Sequence, residues 1–433
     1  MRMNLRNKQN ILLAFYGDDF TGSTDALEFI RKAGAKAVLF IEPPTEEQLK
    51  EFAGINVIGV AGKTRALPTA EIEKTLLKAF EQLKASGAKH VHYKVCSTFD
   101  SSPTVGSIGK AIDCGAEVFQ NKFIPVLGGS PSLGRYCVFG NLFARMGIGS
   151  NGKMYRLDRH PSMSKHPVTP ADESDLRLHI GKQTAKKIGL IDLVQMQKDV
   201  TEWKDVLTDE EIVLLDAMYE KQLISIGEWI DGLDKTKTLF SVGGSGIEAA
   251  LGTYWNEKGV VKAKQNFQLI TKAEPLLVIS GSCSPVTAAQ IEWAKEHGFE
   301  EVVIDAVEIC EEEVMDAAVM NHVAVLLQKK KNVIVHTGTK QPENLSSEKL
   351  GTALGTIAKH AVKQSHLKRV IIAGGDTSSY AARAMDIDAV EMIAAVVSGA
   401  PLCKAYSTDE MINGLEVNFK GGQVGGEDYF GLF

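Results

Sequence analysis

Short apolar runs, each closed by a tight loop and followed by residues of helical period, recur along this chain. Four segments repeat the design: ILLAFYGDDFTGSTDALEFIRKAG (11–34), TLFSVGGSGIEAAL (238–251), PLLVISGSCSPVTAAQIEWAKEHG (275–298) and RVIIAGGDTSSYAARAM (369–385). Runs that are apolar without alternation predict strands buried on both faces, as in a parallel sheet. Further strands are predicted at 37–41, 55–60, 91–95, 302–305 and 332–336. Strands that alternate with helices imply an α/β fold: mostly parallel sheets with helices on both faces, joined by right-handed crossovers.

Two stretches break the rhythm. Residues 145–185 carry Gly, Pro, His and Ser at loop density, and 255–273 is polar and weakly patterned. The 433 residues are too many for one ordinary domain. The division expected is therefore a domain at 1–254, a linker at 255–273 and a second domain at 274–433, with a cleft between the two. No repeat of solenoid period and no low-complexity tract is present.

Composition narrows the partners. A net charge of −6 and a pI near 6.0 give no electrostatic footprint for nucleic acid or anionic lipid. The apolar stretch after the basic N-terminus is broken by Asp18 and Asp19 too early for a signal sequence or a membrane span, so a cytoplasmic protein is expected. The six cysteines (Cys96, Cys114, Cys137, Cys283, Cys310, Cys403) form no CxxC pair and are expected to be reduced thiols.

The chemistry concentrates in the loops that follow the strands. GDDFTG (17–22) stands where a strand hands over to a helix, the place at which open α/β sheets put ligands. Its two carboxylates face opposite ways, so one can cap the helix while the other faces a crevice. Strand alternation sets Asp19 with Phe15 and Gly17, which favours Asp19 over Asp18 as a base for deprotonating an alcohol. Plain helix capping would use the same residues.

AGGDTSSYAARA (373–384) leaves the N–H groups of Gly374 and Gly375 open at a helix N-terminus, where an anion is favoured. Asp376 there suits Mg²⁺, and Thr377 suits a phosphate oxygen. SGSCSPVTAAQI (280–291) offers a second loop through Ser280 and Ser282, with Ser284 at the cap and Pro285 at the first helical position. Together the two loops point to a nucleotide.

Other candidates are weaker. VIGVAGKTR (57–65) has Val57 where a P-loop needs Gly, and GSGIEA (244–249) lacks the acidic strand end of a dinucleotide site; both read as packing turns. Lys94, Arg135, Arg156, Arg159 and Lys165 lie near strand ends or in loops, where an arginine can grip a carboxylate. His160 and His166 lack companions at metal-ligand spacing. No His/Asp partner is assignable to a hydrolase serine.

These motifs, taken in order, resemble the four-carbon acid sugar kinase family. The chain carries Asp18-Asp19-Phe20-Thr21-Gly22, then Gly62-Lys63-Thr64-Arg65 in place of T-x-S-R, then Tyr93-Lys94-Val95-Cys96-Ser97-Thr98. GRYCVFGNLFAR (134–145), HPVTPADESDLR (166–177), SGSCSPVTAAQI, AGGDTSS and FKGGQVGGEDYF (419–430) complete the series over nearly the whole length.

The resemblance implies an ATP- and Mg²⁺-dependent kinase acting on a terminal hydroxyl of a small sugar acid. The acid would lie on the N-terminal domain, with Asp19 as base and Asp18, Thr21, Arg65, Lys94, Ser97 and Arg135 as its ligands. ATP would lie on the C-terminal domain at Ser280, Ser282, Gly374, Gly375, Asp376, Thr377, Gly421 and Gly422, with Asp376 holding the metal. Cys96 stands where the family has Asp, and Asp100-Ser101 where it has Arg-Gly. These departures touch the substrate side and suit a branched or oxidised relative such as 3-oxo-isoapionate. An NAD(P)-dependent oxidoreductase using GSGIEA and a non-catalytic sugar-acid-binding protein are the competing readings. The sequence leaves the oligomeric state open, a homodimer included.

Overall fold

The computed structural model describes residues 10–146, 152–166, 168–262, 267–311, 316–338 and 345–433. All four repeated segments form the strand and helix expected of them. Leu13–Gly17 leads into the helix Phe20–Ala33, Leu239–Gly243 into Gly246–Glu257, Leu277–Ser280 into Pro285–Glu296, and Arg369–Ala373 into Gly375–Ala384. Local chemistry sets the helix starts. Ser284 caps Pro285–Glu296 by accepting from the Thr287 N–H, with Pro285 in the first turn. Asp19 caps Phe20–Ala33 by accepting from the Gly22 N–H, and Gly34 ends that helix at φ 107°.

These strands join one 15-stranded sheet that runs through both halves of the chain. From one edge the order is Glu300–Val303, Val333–His336, Leu277–Ser280, Arg369–Ala373, Glu416–Lys420, Ala400–Tyr406, Ala389–Val397, Ala37–Phe40 and Val57–Ala61. It continues through Leu13–Gly17, His90–Lys94, Leu239–Gly243, Ile124–Leu127, Ile212–Leu215 and Ile188–Ile191. Every pairing is parallel except those of the hairpin Ala389–Val397 and Ala400–Tyr406, which carries the C-terminal half up to the N-terminal half. That junction is narrow: Ala389 pairs with Phe40 and Val390 with Leu39.

Alternate residues of the strands feed opposite faces. Leu13 and Phe15 join a hydrophobic layer that extends through Leu277, Ile279 and Val417, so one face of the core is continuous across both halves. Ala14 and Tyr16 point into a second layer, drawn from the N-terminal half apart from Ala389 and the half-buried Tyr406, and Val278 into a third near the C-terminus. The seam is braced by Phe20 against Phe419 with ring centroids 4.4 Å apart, and by Arg31 to Glu391 at 3.3 Å. Arg383, on the helix that begins at Gly375, donates to the carbonyls of Ile41 and Ala61 across it.

Two antiparallel elements were not predicted: that hairpin, and a three-stranded sheet of Arg135–Val138, Asn141–Arg145 and Met154–Arg156. The second falls partly within the stretch read as loop. Among the described residues no helix is long and apolar enough to cross a membrane.

Candidate active site

The carboxyl ends of the parallel strands on both sides of the seam bring most of the predicted residues together. A cavity of about 560 Å³ is lined from the N-terminal half by Asp19, Thr21, Arg65, Lys94, Ser97 and Arg135, and from the C-terminal half by Gly375, Gly399, Gly421 and Gly422. A second cavity, of about 320 Å³, is walled by Ser282, Gly374, Gly375, Asp376, Thr377 and Gly422. A narrow space of about 60 Å³ between Asp19, Arg65, Gly375 and Asp376 lies where the two meet. Gly375 therefore belongs to all three. A Cβ built on it would lie 3.5 Å from the Arg65 guanidinium, 3.6 Å from the Thr21 hydroxyl and 3.7 Å from Asp19 Oδ2.

Of the paired carboxylates, Asp19 is the one in the larger cavity. It accepts from the Thr21 hydroxyl at 2.8 Å and the Gly22 N–H at 2.9 Å, and pairs with Arg65 at 2.9 Å. Burial pushes its carboxyl up, but Arg65, Lys94 and these two donors outweigh burial and hold it below the usual carboxylate range. Asp18 lines only the narrow space that Asp19 shares with Gly375. Its Oδ2 accepts from the Cys96 N–H at 3.3 Å, and its Oδ1 has no hydrogen-bond partner. Burial, with the Asp19 charge beside it, pushes Asp18 up to about 7.

The cations are placed unequally. Arg65 is spent on Asp19. Lys94, at the end of a central strand, is buried and donates to the Val95 carbonyl at 2.9 Å. Burial alone would lower it, but Asp25, Asp18 and Asp19 hold its ammonium above the ordinary value. Arg135 donates to Ser97 Oγ at 3.2 Å and to the carbonyls of Leu133, Gly134 and Arg145, yet has no carboxylate at ion-pair distance among the described residues. Burial accordingly holds it below the usual arginine value. An unpaired guanidinium in a cavity wall is a receptor for an anion. Arg156 is taken by Asp158 at 2.6 Å, Arg159 by the same carboxylate at 3.4 Å, and Lys165 is exposed; none of the three lines the cavity.

The glycine loops close on themselves tightly. Gly374 sits at φ 121°, and a Cβ there would come within 2.8 Å of Thr377 Oγ1. One on Gly422 would come within 2.8 Å of Ser282 Oγ. Ser280 differs from its neighbours: it is buried beneath the loop, its Oγ accepting from the Ser282 N–H at 3.4 Å, and it lines none of these cavities. Asp376 is exposed on the cradle wall. Among the described residues no group of three His, Cys, Asp or Glu could by itself hold a metal.

Both near-miss motifs have structural roles. Thr64 of GKTR bonds the Tyr93 hydroxyl at 2.9 Å, and Arg65 is delivered to Asp19. In GSGIEA a Cβ on Gly246 would strike the Gly129 carbonyl at 2.2 Å, and Glu248 bonds buried His92 at 2.6 Å. Ser245 of the same motif donates to Asp25.

Sequence reasoning passed over Asp25. It is 8% exposed, lines the larger cavity and leaves Oδ1 without a partner, and burial pushes it up to about 6. The signal was available, because Asp19, Gly22 and Asp25 recur at intervals of three along one helix face. Cys96 and Asp100 line the cavity too, and burial holds the Cys96 thiol up at about 12, so it is protonated.

Comparison with known proteins accords with this layout. Residues 13–251 match the model of a sugar-binding N-terminal domain, and 277–430 that of a nucleotide-binding C-terminal domain. A 3-oxo-isoapionate kinase of Paraburkholderia graminis is 39% identical over 98% of this chain and 94% of its own. A 3-oxo-tetronate kinase of Salmonella typhimurium is 27% identical over 95% of this chain and 96% of its own. A solved Salmonella typhimurium LT2 structure described as a tRNA synthase superimposes with a TM-score of 0.76 at 24% identity over 98% of both chains, which shows the fold alone. With both domain models matched in order and a relative of this identity along its length, the chain belongs to the four-carbon acid sugar kinase family.

Proposed function

We propose that the protein is an ATP-dependent kinase that phosphorylates a terminal hydroxyl of a small sugar acid of the 3-oxo-isoapionate or 3-oxo-tetronate type. The observation that carries this is Gly375: one residue walls both the glycine cradle and the acid cavity, and a Cβ added to it would come within 3.5–3.7 Å of Arg65, Thr21 and Asp19. The Gly374 N–H is spent on the Lys420 carbonyl at 2.9 Å, so a phosphoryl group held at the Gly375 N–H would face a hydroxyl placed beside Asp19. Arg135 supplies the counter-charge for the substrate carboxylate. Lys94 and Arg65 supply positive charge where the transferred oxygens gather.

In the transfer the substrate oxygen forms its bond to the γ-phosphorus, the bond to the β-γ bridging oxygen breaks, ADP leaves, and the hydroxyl proton passes to Asp19. Phosphoryl transfer demands little of a base beyond position, and an Asp19 held ionised is always ready to accept. Asp376 would hold Mg²⁺ together with phosphate oxygens, a metal that characteristically takes one or two carboxylates and neutralises phosphate charge. The domain division at 255–273 fits the limits of the two family models.

A second reading gives the proton to Asp25, whose unpartnered Oδ1 and value of about 6 suit a base near neutrality. Proximity to Gly375 favours Asp19, and the two differ in their pH profiles. The test of the function is ADP release from ATP–Mg²⁺ across a panel of sugar acids and neutral sugars. Turnover with a 3-oxo acid alone supports the reading, whereas oxidation of a hydroxy acid with NAD(P) would sink it.

A further inference from the structure

We propose that Asp100 selects the substrate by accepting from a hydroxymethyl group carried beside the carboxylate of the bound acid. A branched 3-oxo acid is then preferred to an unbranched one. The inference rests on the kinase reading and narrows its substrate class.

Asp100 lines the larger cavity together with Cys96, Ser97 and Arg135. Its Oδ1 is buried without a hydrogen-bond partner, and the cations nearby are otherwise engaged. Arg65 pairs with Asp19 at 2.9 Å, and Arg135 is held by Ser97 and three carbonyls. The Asp100 charge is nonetheless felt by Arg65, Arg135 and the Cys96 thiol, which sets it among them. A buried acceptor left idle is costly unless a ligand brings the donor.

The chain is bent against its own preference to hold this carboxylate in place. Phe99, buried, stands at φ 55°, in the left-handed region that a bulky side chain rarely enters. Its N–H donates to the Cys96 carbonyl at 2.9 Å, and its carbonyl accepts from the Ser101 hydroxyl at 3.0 Å. Ser101 in turn meets His179 at 2.8 Å and accepts from Gln183 at 3.0 Å. Both flanks of Asp100 are thereby pinned. Strain of this kind persists only where the surroundings impose it, and it clusters at ligand sites.

The same turn fixes the carboxylate relative to the cation. Ser97, three residues before Asp100, accepts from Arg135 Nε at 3.2 Å. Arg135 and Asp100 are therefore neighbours that do not bridge each other. A ligand between them must offer an anion to the first and a donor to the second. A carboxylate with a hydroxymethyl group on the adjoining carbon offers both. An unbranched acid has only the hydroxyl on that carbon itself, one bond shorter in reach.

The test compares two acids in one assay. ADP release would be followed with a hydroxymethyl-branched 3-oxo acid and with 3-oxo-tetronate, for wild type, Asp100→Ala and Asp100→Asn. The ratio of kcat/KM for the two acids is read, because loss of folded protein lowers both rates and leaves the ratio unmoved. Wild type should prefer the branched acid. Asp100→Ala should lower the ratio at least about tenfold, the worth of a charge-assisted hydrogen bond, with the loss mainly in KM. Asp100→Asn, which keeps an acceptor oxygen, should restore part of it. A ratio unaltered in both variants, or a wild type that prefers the unbranched acid, would overturn selection by Asp100 and leave the kinase reading standing. Wild-type protein that releases ADP with neither acid would sink both.

Discussion

Replacing Gly375 by alanine isolates the contact on which the function turns. The position has no positive φ, and the added methyl meets its nearest neighbours, Arg65, Thr21 and Asp19, at 3.5, 3.6 and 3.7 Å, ordinary van der Waals distances. The fold should therefore accept it. Gly→Ala at a compatible position gains about 0.4–1 kcal/mol by restricting the unfolded chain, so the thermal midpoint should hold or rise. Function should not hold. The methyl fills the gap between the phosphate loop and Asp19, and displacing a transferred group by ~1 Å costs about 10²-fold, some 2.7 kcal/mol of barrier. Steady-state ADP release should show kcat falling by at least about that factor, with an unperturbed melting curve measured alongside. The neighbouring change Gly374→Ala is the control. At φ 121°, with Thr377 Oγ1 2.8 Å from the new Cβ, it should lower the melting point as well. Activity of Gly375→Ala within a few-fold of wild type would refute the path of transfer drawn here.

Asp19→Asn should lower kcat about 10²–10⁴-fold while ADP binding by calorimetry stays intact, because the glycine loops lie on the other half of the chain. If Asp19 is the base, kcat/KM should stay level as pH falls through 6, its carboxyl being held below the ordinary range; a tenfold loss per pH unit below about 6 would transfer the role to Asp25. Arg135→Met should raise KM for the acid by about 10–100-fold, the worth of about 1.5–3 kcal/mol for a charge-assisted contact, with kcat changed less; an unaltered KM would remove Arg135 from carboxylate recognition. Asp18 titrates near 7 when folded and near 3.8 when unfolded, so the native state binds the extra proton and stability falls as pH rises between those values. Asp18→Asn should flatten that fall, seen as a higher melting point than wild type at pH 8 and little difference at pH 4. An equal shift at both values would show that ionisation of Asp18 is not what destabilises.

What could be read from the chain was what is local. An apolar run, a glycine-rich loop and a helical period occupy some twenty consecutive residues, and all four such units formed as expected. Ser284 and Pro285 announced their helix because a cap needs only its own next three residues. Pairing across long separations was not legible. The hairpin Ala389–Val397 and Ala400–Tyr406 takes its place from Leu39 and Phe40, some 350 residues earlier, and its sequence alone does not say what it lies beside. Asp25 went unnoticed because its donor, Ser245, lies in a motif 220 residues away that had been read as packing. Ser280 was grouped with its loop by composition, whereas the strand's inward turn buries it. The family motifs set Arg135 and Lys94 apart from Arg156, but the physical reason came only with the fold, where Arg156 already has a carboxylate and Arg135 has none among the described residues.

The narrow junction of the sheet has a mechanical meaning. Most neighbouring strands are clamped by four or five residue pairs, but the halves meet through the two pairs Ala389–Phe40 and Val390–Leu39. Inside the N-terminal half the strands Leu239–Gly243 and Ile124–Leu127 also share only two pairs, but the junction at Ala389 and Val390 is the one that joins the two halves. Any breathing that lets a sugar acid in between the halves would concentrate there, against the bracing of Arg383 and of Phe20 on Phe419. Amide exchange at Leu39, Phe40 and Val390 should then be faster than at the strand centres on either side, and should slow when nucleotide and acid are both bound. Uniform protection across the junction, with and without ligands, would mean that the sheet does not flex at its seam.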